Sequence, residues 1–156
     1  MKKLFMMAVA LIMTTAMSAQ DIEKGFSFAS EVGIGSELEL GVRAQYNFNK
    51  YFALDLPVVK YAYDYGDYSV NEITLQTGVR FFSPTFGPDL KVFTALDMGY
   101  GNMFDSYDNV HCFAMDYTIG LYVWKGLYVG YGYGAMIKDG ERYNDHEVRV
   151  GYNFTF

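Results

Sequence analysis

The sequence predicts an all-β protein, folded as an eight-stranded antiparallel up-and-down transmembrane β-barrel. The first observation is a series of eight segments of about ten residues that alternate apolar with polar or small side chains and are separated by turn residues. The second is composition, since the chain holds 15 Tyr, 13 Phe and 16 Gly but only 3 Pro. The third is the final segment, residues 147–156, which alternates without a break. A period of two places the two sets of side chains on opposite faces of a strand.

The first twenty residues are predicted to be a secretory signal peptide. Lys2 and Lys3 precede the apolar run Leu4–Met13, and small residues follow it. That run is too short for a membrane-spanning helix, which needs about 20 residues. Residues 21–156 then form one barrel domain. Removing the two lysines lowers the formal net charge of −6 by two more. So acidic a chain lacks the basic patch that nucleic-acid binding requires, and no nucleic-acid partner is expected.

The first three strands follow this leader. Residues 25–33 and 38–48 alternate cleanly, with turns predicted at Gly35-Ser36 and at Asn49-Lys50. The third strand begins at Tyr51, and its apolar face is assigned to Phe52, Leu54, Leu56 and Val58. Pro57 lies inside it and cannot donate a hydrogen bond to a neighbouring strand, so a bulge or local break is predicted there.

Five further strands complete the set. Their apolar faces lie within residues 73–81, 90–100, 113–123, 127–137 and 147–156. The connection at residues 83–89 holds two prolines and a glycine. Three other connections are acidic and rich in tyrosine, and are predicted as loops at residues 64–69, 102–109 and 138–145.

The glycine-bearing face of the strands is predicted to line the lumen. An eight-stranded barrel has an interior just wide enough for side chains to fill, and the many Phe, Tyr and Leu residues of the apolar face exceed that space. The opposite face carries nine glycines, at positions 33, 41, 78, 99, 120, 130, 132, 134 and 151. The apolar face is therefore expected to meet lipid. A soluble lipocalin-like carrier, with the apolar face inside, is the alternative that this size argument disfavours.

Charged residues on the inward face are predicted to form a network that fills the lumen. The set contains Glu31, Glu39, Arg43, Asp55, Glu72, Arg80, Lys91, Asp97, Asp116, Glu147 and Arg149. Both signs are present, which permits pairing, whereas isolated charges in a narrow lumen are costly. A narrow pore for ions or small solutes is the alternative use of the same residues.

Aromatic residues near the strand ends predict two girdles at the lipid–water boundaries. The girdle at the end that holds the chain termini is assigned to Phe48, Tyr51, Phe52, Phe81, Phe82, Tyr122, Trp124, Phe154 and Phe156. The opposite girdle is assigned to Tyr61, Tyr63, Tyr100, Phe104 and Tyr133.

Catalytic and metal chemistry is not predicted. Cys112 is the only cysteine, so no intramolecular disulfide forms. His111 lies five residues from Ser106, and His146 precedes Glu147, but exposed loop histidines are the favoured interpretation of both. The loop carboxylates lack the spacing of a dedicated calcium loop. We therefore expect no enzyme activity, no cofactor and no metal, with a lipid-modifying enzyme as a less favoured alternative.

The final strand resembles the C-terminal targeting strand of bacterial outer-membrane barrels, through Tyr152, Phe154 and the terminal Phe156. The whole mature chain resembles the small eight-stranded outer-membrane barrel family, which includes the OmpA transmembrane domain and OmpX-like and Opa-like proteins. The resemblance implies a place in the outer membrane of a Gram-negative cell envelope, with both termini in the periplasm. It also implies outer-membrane lipid, the barrel-assembly machinery and periplasmic chaperones as partners. Because the sequence stops at Phe156, we expect no counterpart of the peptidoglycan-binding domain of full-length OmpA.

This family hosts several kinds of activity, so the fold does not choose among them. We expect a non-enzymatic integral outer-membrane protein with a structural or surface-interaction role. An extracellular ligand would bind through the loops at residues 64–69, 102–109 and 138–145.

Overall fold

The computed structural model describes residues 24–64, 70–86, 90–104 and 109–155, and forms a closed barrel in which strand order follows chain order. All neighbouring strands are antiparallel, which confirms the predicted fold class. The strands are β1 Gly25–Ile34, β2 Glu37–Asn49, β3 Phe52–Asp64, β4 Asn71–Phe82, β5 Lys91–Phe104, β6 Asn109–Trp124, β7 Leu127–Lys138 and β8 Glu141–Thr155. The predicted signal peptide and Phe156 lie outside the described residues.

The barrel closes because β1 pairs with β8 as well as with β2. This closing ladder runs from Ser27 opposite Thr155 to Ile34 opposite Val148. No edge is left to expose unpaired backbone groups, which lipid could not satisfy. β1 begins and β8 ends at one end of the barrel, called here the terminal end. The other end, which carries the β1–β2 and β7–β8 turns, is called the hairpin end.

Side chains alternate between the lumen and the outer surface as predicted. On β1, Phe26 and Phe28 are exposed on the outside, whereas Ser27 and Glu31 are buried inside. Exposed apolar side chains occur on all eight strands, among them Val42, Tyr61, Leu75, Met98, Ile119, Val129 and Val150. In the described part of the chain, no helix has the length and apolar character to cross a membrane, a criterion that does not apply to strands.

A bulge at Pro57 shifts the alternation of β3. The pairing with β4 skips from Asp55 to Val58, which confirms the predicted irregularity. Beyond it, the inward positions become Val58, Lys60 and Ala62. The prediction that Val58 faces lipid is therefore wrong: its side chain is fully buried in the lumen, because the extra residue at the bulge reverses the parity of the strand.

The predicted loop at residues 138–145 is also wrong. β7 continues to Lys138 and β8 begins at Glu141, so only Asp139 and Gly140 form the turn. Both have positive φ, 51° and 87°, as a two-residue hairpin turn of the primed type requires. The predicted loop at 102–109 is shortened in the same way, since β5 continues to Phe104 and β6 begins at Asn109. These hairpins extend as ordered ladders rather than as polar loops.

Replacing Gly140 with alanine should lower the free energy of unfolding by about 1–2 kcal/mol, because an L side chain at this φ meets its own backbone. Asp139→Asn is the matched control, since asparagine tolerates the left-handed conformation. Denaturant unfolding in detergent micelles, followed by Trp124 fluorescence, measures both variants. Equal midpoints for wild type and G140A would contradict the assigned turn.

A filled lumen as the candidate functional site

An aromatic cluster occupies the lumen toward the terminal end. It consists of Phe82, Phe93, Tyr122 and Tyr128, and is called here the aromatic plug. The ring centroids of Tyr128 lie 5.3 Å from those of Phe93 and Tyr122, and Phe82 lies 6.0 Å from Tyr122. Each of the four residues is at most 6% exposed. Four consecutive strands, β4 to β7, thus send one large ring each into the same cross-section.

The plug corrects the predicted girdle at two positions. Phe82 and Tyr122 were assigned to the lipid boundary, but both are buried inside the barrel. Phe82 shares the face of Arg80, and its neighbour Phe81 points outward instead. Tyr122 likewise shares the face of Thr118. An aromatic residue near a strand end does not by itself indicate the face on which its ring lies. Strict alternation would have assigned Phe82 and Tyr122 to the lumen.

Glycines make room for the plug. A Cβ atom at Gly120 would lie 2.5 Å from Cε1 and 2.6 Å from Cζ of Phe93. A Cβ at Gly151 would lie within 2.8 Å of Cε1 of Tyr128 and closer still to Cζ. Since real Cβ atoms do not approach other heavy atoms so closely, these two positions accept no larger side chain unless the ring moves. The plug is therefore packed directly against the glycine-bearing face.

A first cluster of charged side chains lies next to the plug and is called here the lower charge cluster. Arg43 is its centre, with its guanidinium 3.4 Å from Glu31, 3.2 Å from Asp55 and 3.3 Å from Asp97. Arg80 adds a second cation 3.4 Å from Asp55.

Two contacts tie the plug to this cluster. The Tyr128 hydroxyl donates a 2.6 Å hydrogen bond to Glu31, and the Arg80 guanidinium lies 4.5 Å from the centroid of the Phe93 ring. A cation over a ring face is attracted by the ring quadrupole, more strongly when both are desolvated. The plug and the lower cluster therefore form one continuous packed unit.

An upper charge cluster lies toward the hairpin end, centred on Arg149 and Lys60. Arg149 binds both carboxylate oxygens of Asp116 at 2.5 Å and also pairs with Glu147 and, at 3.4 Å, with Glu39. The Lys60 ammonium lies 2.7 Å from Asp116 and 3.1 Å from Glu39. Bidentate guanidinium–carboxylate pairs combine strength with a fixed geometry. The two clusters meet through Glu31, which lies 4.0 Å from Lys60.

Nine of the eleven inward charges predicted from sequence are buried, and Glu39 and Glu72 are partly exposed. Nine of the eleven belong to the two clusters, and Arg80 is the member of the lower cluster that contacts the plug. Lys91 lies 5.8 Å from the Phe82 ring centroid, and Glu72 lies at the hairpin end. Lys60 was missed, because alternation counted through Pro57 placed it outside. The break at the proline was the signal that could have found it.

Toward its hairpin end the lumen holds a cavity of about 100 Å³, called here the vestibule. Its walls include the carboxylates of Glu39, Glu72, Asp116 and Glu147, together with Lys60. Thr74 and Gln76 of β4 also line it, and both are buried. In the described part of the chain, Thr74 Oγ1 and Gln76 Oε1 have no hydrogen-bond partner.

Both histidines lie on the outer face and pair with tyrosines. His111 Nδ1 is hydrogen-bonded to the Tyr100 hydroxyl, and His146 Nδ1 to the Tyr131 hydroxyl at 2.5 Å. Each tyrosine lies on the adjacent strand, two residues from the residue that is paired directly with the histidine. Ser106, the residue considered with His111, lies outside the described residues.

Two aromatic residues of the predicted assembly signal, Tyr152 and Phe154, lie together at the terminal end, and the third, Phe156, lies outside the described residues. The rings of Tyr152 and Phe154 are 4.8 Å apart between centroids. Tyr152 is only 3% exposed although it lies on the outward parity of β8. Its role as an assembly signal stays a prediction.

No protein-family model matches the chain, and no curated protein matches it in sequence. Several solved structures match its fold. The N-terminal β-barrel domain of Pseudomonas aeruginosa OprF is 12% identical with a TM-score of 0.58, over 85% of this chain and 98% of that one. Neisserial surface protein A is 14% identical with a TM-score of 0.55, over 84% and 94%. The Yersinia pestis outer membrane protein Ail, in a phospholipid bilayer nanodisc, is 12% identical with a TM-score of 0.51, over 84% and 100%. The chain therefore has the fold of the small eight-stranded outer-membrane barrels.

Proposed function

We propose that this chain is an integral protein of the bacterial outer membrane with a closed lumen, which serves a structural or surface-interaction role rather than transport. The observation that carries the proposal is the inversion of the barrel: apolar side chains cover its outside, while charged and aromatic side chains fill its inside. The fold neighbours support the location, and the even strand number supports periplasmic termini.

The outer surface supports burial in lipid. Phe28, Val42, Leu75 and Val148 are each about half exposed on the outside, on four different strands. A water-soluble monomer rarely exposes a contiguous apolar patch larger than a few hundred Å². A continuous apolar band around a closed barrel is the surface that a bilayer stabilises.

The packed lumen argues against the narrow-pore alternative. An ion crossing the barrel would have to pass the aromatic plug and then separate the buried ion pairs centred on Arg43 and Arg149. Separating such pairs without replacing their partners is strongly unfavourable in a low-dielectric interior. The same packing gives the barrel a fixed shape on which its hairpins are displayed.

A non-enzymatic role is part of the proposal. The two histidines each place Nδ1 against a tyrosine hydroxyl on the lipid-facing side. That geometry fits an interfacial girdle, where aromatic residues keep a polar group near water.

The location is tested by fractionating cells that express the full chain, and by gel mobility in SDS with and without boiling. The protein should be in the outer-membrane fraction and should migrate differently before and after boiling, because a closed barrel resists SDS until heated. Recovery in the soluble periplasm without a mobility shift would overturn the proposal and favour the lipocalin-like carrier.

Closure of the lumen is tested by conductance in planar lipid bilayers. The wild type should give no stable conductance steps, and Phe93→Ala with Tyr128→Ala should give only brief openings, since two rings of the plug are removed but the buried ion pairs remain. The matched control is Phe81→Ala with Tyr131→Ala, which removes two outward rings, one from β4 and one from β7. Stable conductance by the wild type would instead favour the narrow pore. The heat shift on the gel verifies that each variant is folded.

A further inference from the structure

The vestibule brings together three carboxylates in a geometry suited to a cation. One oxygen from each of Glu39, Asp116 and Glu147 lies within 4.8 Å of the others. Ca²⁺ binds six to eight oxygen ligands at about 2.3–2.6 Å, so oxygens on opposite sides of the ion are separated by about twice that bond length. The three residues come from β2, β6 and β8, so their side chains converge on one part of the lumen from three different strands.

Two neutral oxygen donors face the same cavity. Thr74 and Gln76 are 93–96% buried, yet Thr74 Oγ1 and Gln76 Oε1 have no hydrogen-bond partner among the described residues. A buried polar atom without a partner costs free energy, which a ligand in the vestibule would recover. This observation does not depend on the carboxylates. It favours a ligand that oxygen atoms can coordinate, which is the case for a metal ion.

The charges around the vestibule favour a further cation. In the described part of the chain, the ion pairs of the lumen join six acidic residues with four basic ones. Glu37, Glu72 and Asp145 add more carboxylates to the vestibule wall. The lumen therefore carries more negative than positive charges, and the additional carboxylates lie in the vestibule at the hairpin end.

We propose that the vestibule is a binding site for a hard divalent cation, Ca²⁺ or Mg²⁺. Glu39, Asp116 and Glu147 supply the charged ligands, and Thr74 and Gln76 supply neutral oxygens from β4. Metal ligands of this type are oxygen atoms, and water completes the coordination shell.

Lys60 competes with the ion. Its ammonium lies against the same oxygens, 2.7 Å from Asp116 and 3.1 Å from Glu39. Arg149 competes as well, because its guanidinium lies 2.5 Å from Asp116 and 3.4 Å from Glu39 and also pairs with Glu147. The bound ion therefore displaces Lys60 from these oxygens, and the affinity is lower than in a site that holds carboxylates alone. Dissociation constants on the order of 0.1–1 mM, as in extracellular calcium modules, are expected.

The test is calorimetric titration of CaCl₂, and separately of MgCl₂, into the barrel refolded in zwitterionic micelles. The wild type should bind one ion saturably. Glu39→Gln should weaken binding about tenfold or more, because it removes a charged ligand. Thr74→Val should weaken it about threefold without loss of folding, since Thr74 makes no hydrogen bond that the barrel needs. Lys60→Met should tighten binding about tenfold, because it removes the competing charge.

The matched control is Asp139→Asn, which removes one exposed carboxylate at the β7–β8 turn outside the vestibule. Its affinity should equal that of the wild type. The proposal is overturned by the absence of saturable heat up to about 10 mM of either ion, well above the expected range. It is also overturned if E39Q and T74V bind like the wild type, or if D139N loses binding, since either result places the ion at the surface.

Discussion

Replacing Arg149 with alanine should be the most damaging single substitution in the lumen, lowering the free energy of unfolding by about 3–5 kcal/mol. The guanidinium pairs with both oxygens of Asp116 and also with Glu147, and none of the three residues is more than 5% exposed. Without Arg149, these carboxylates remain buried with Lys60 as the nearest cation. Most of the loss arises from these unpaired charges rather than from the pairs themselves.

Denaturant unfolding in lipid vesicles, followed by Trp124 fluorescence, measures this loss. Arg142→Ala is the control on the same strand: Arg142 is exposed and contacts Tyr133 on the outer face, so its removal should change stability by no more than about 0.5 kcal/mol. Arg149→Lys should fall between the two, because the charge remains and the bidentate geometry is lost. Similar midpoints for R149A and R142A would mean that the upper cluster does not stabilise the barrel.

The second large effect is expected at Gly151. Alanine there places a Cβ within 2.8 Å of Tyr128 Cε1, so the ring must move within a packed lumen. Overpacking of this kind costs about 1–3 kcal/mol. Displacement of the ring would also weaken the hydrogen bond from Tyr128 to Glu31.

Gly134→Ala provides the matched control for Gly151→Ala. Gly134 also faces the lumen, but a Cβ there would meet only Asp116 Oδ2 at 3.9 Å, an ordinary contact. In a double-mutant cycle, Tyr128→Ala should reduce the cost of Gly151→Ala, because the clash disappears with the ring. Additive effects of the two substitutions would show that Gly151 and Tyr128 do not contact each other.

Alternation predicted the architecture well, because a period of two is a direct consequence of strand geometry. It assigned inside and outside correctly along β1, where no irregularity intervenes. It failed beyond Pro57, where one extra residue reversed the parity and moved Val58 and Lys60 to the lumen. A bulge can be predicted from a proline, but the number of residues that it absorbs depends on the two neighbouring ladders.

The aromatic plug was not predicted for a different reason. Phe82 and Tyr122 were grouped by residue type and assigned to lipid, although Phe82 alternates with the outward Phe81. The Asp139-Gly140 turn was present in the sequence as a strong hairpin signal, but the polar residues around it suggested a loop. Which charges pair also required the structure, since Arg43 joins carboxylates from β1, β3 and β5, whose approach depends on register.

The ladder between β1 and β8 has a consequence for how the barrel is assembled. Seven of the eight strand pairings in the barrel join neighbours along the chain, and only this one joins residues more than a hundred positions apart. Local hairpins can form early, but the ring gains its full set of backbone pairs only when the last strand meets the first. Until then, the unpaired edges of β1 and β8 and the charged side chains of the lumen are all exposed. Closure therefore makes folding cooperative around the whole circumference. A substitution that destabilises one strand is expected to lower the stability of the whole barrel.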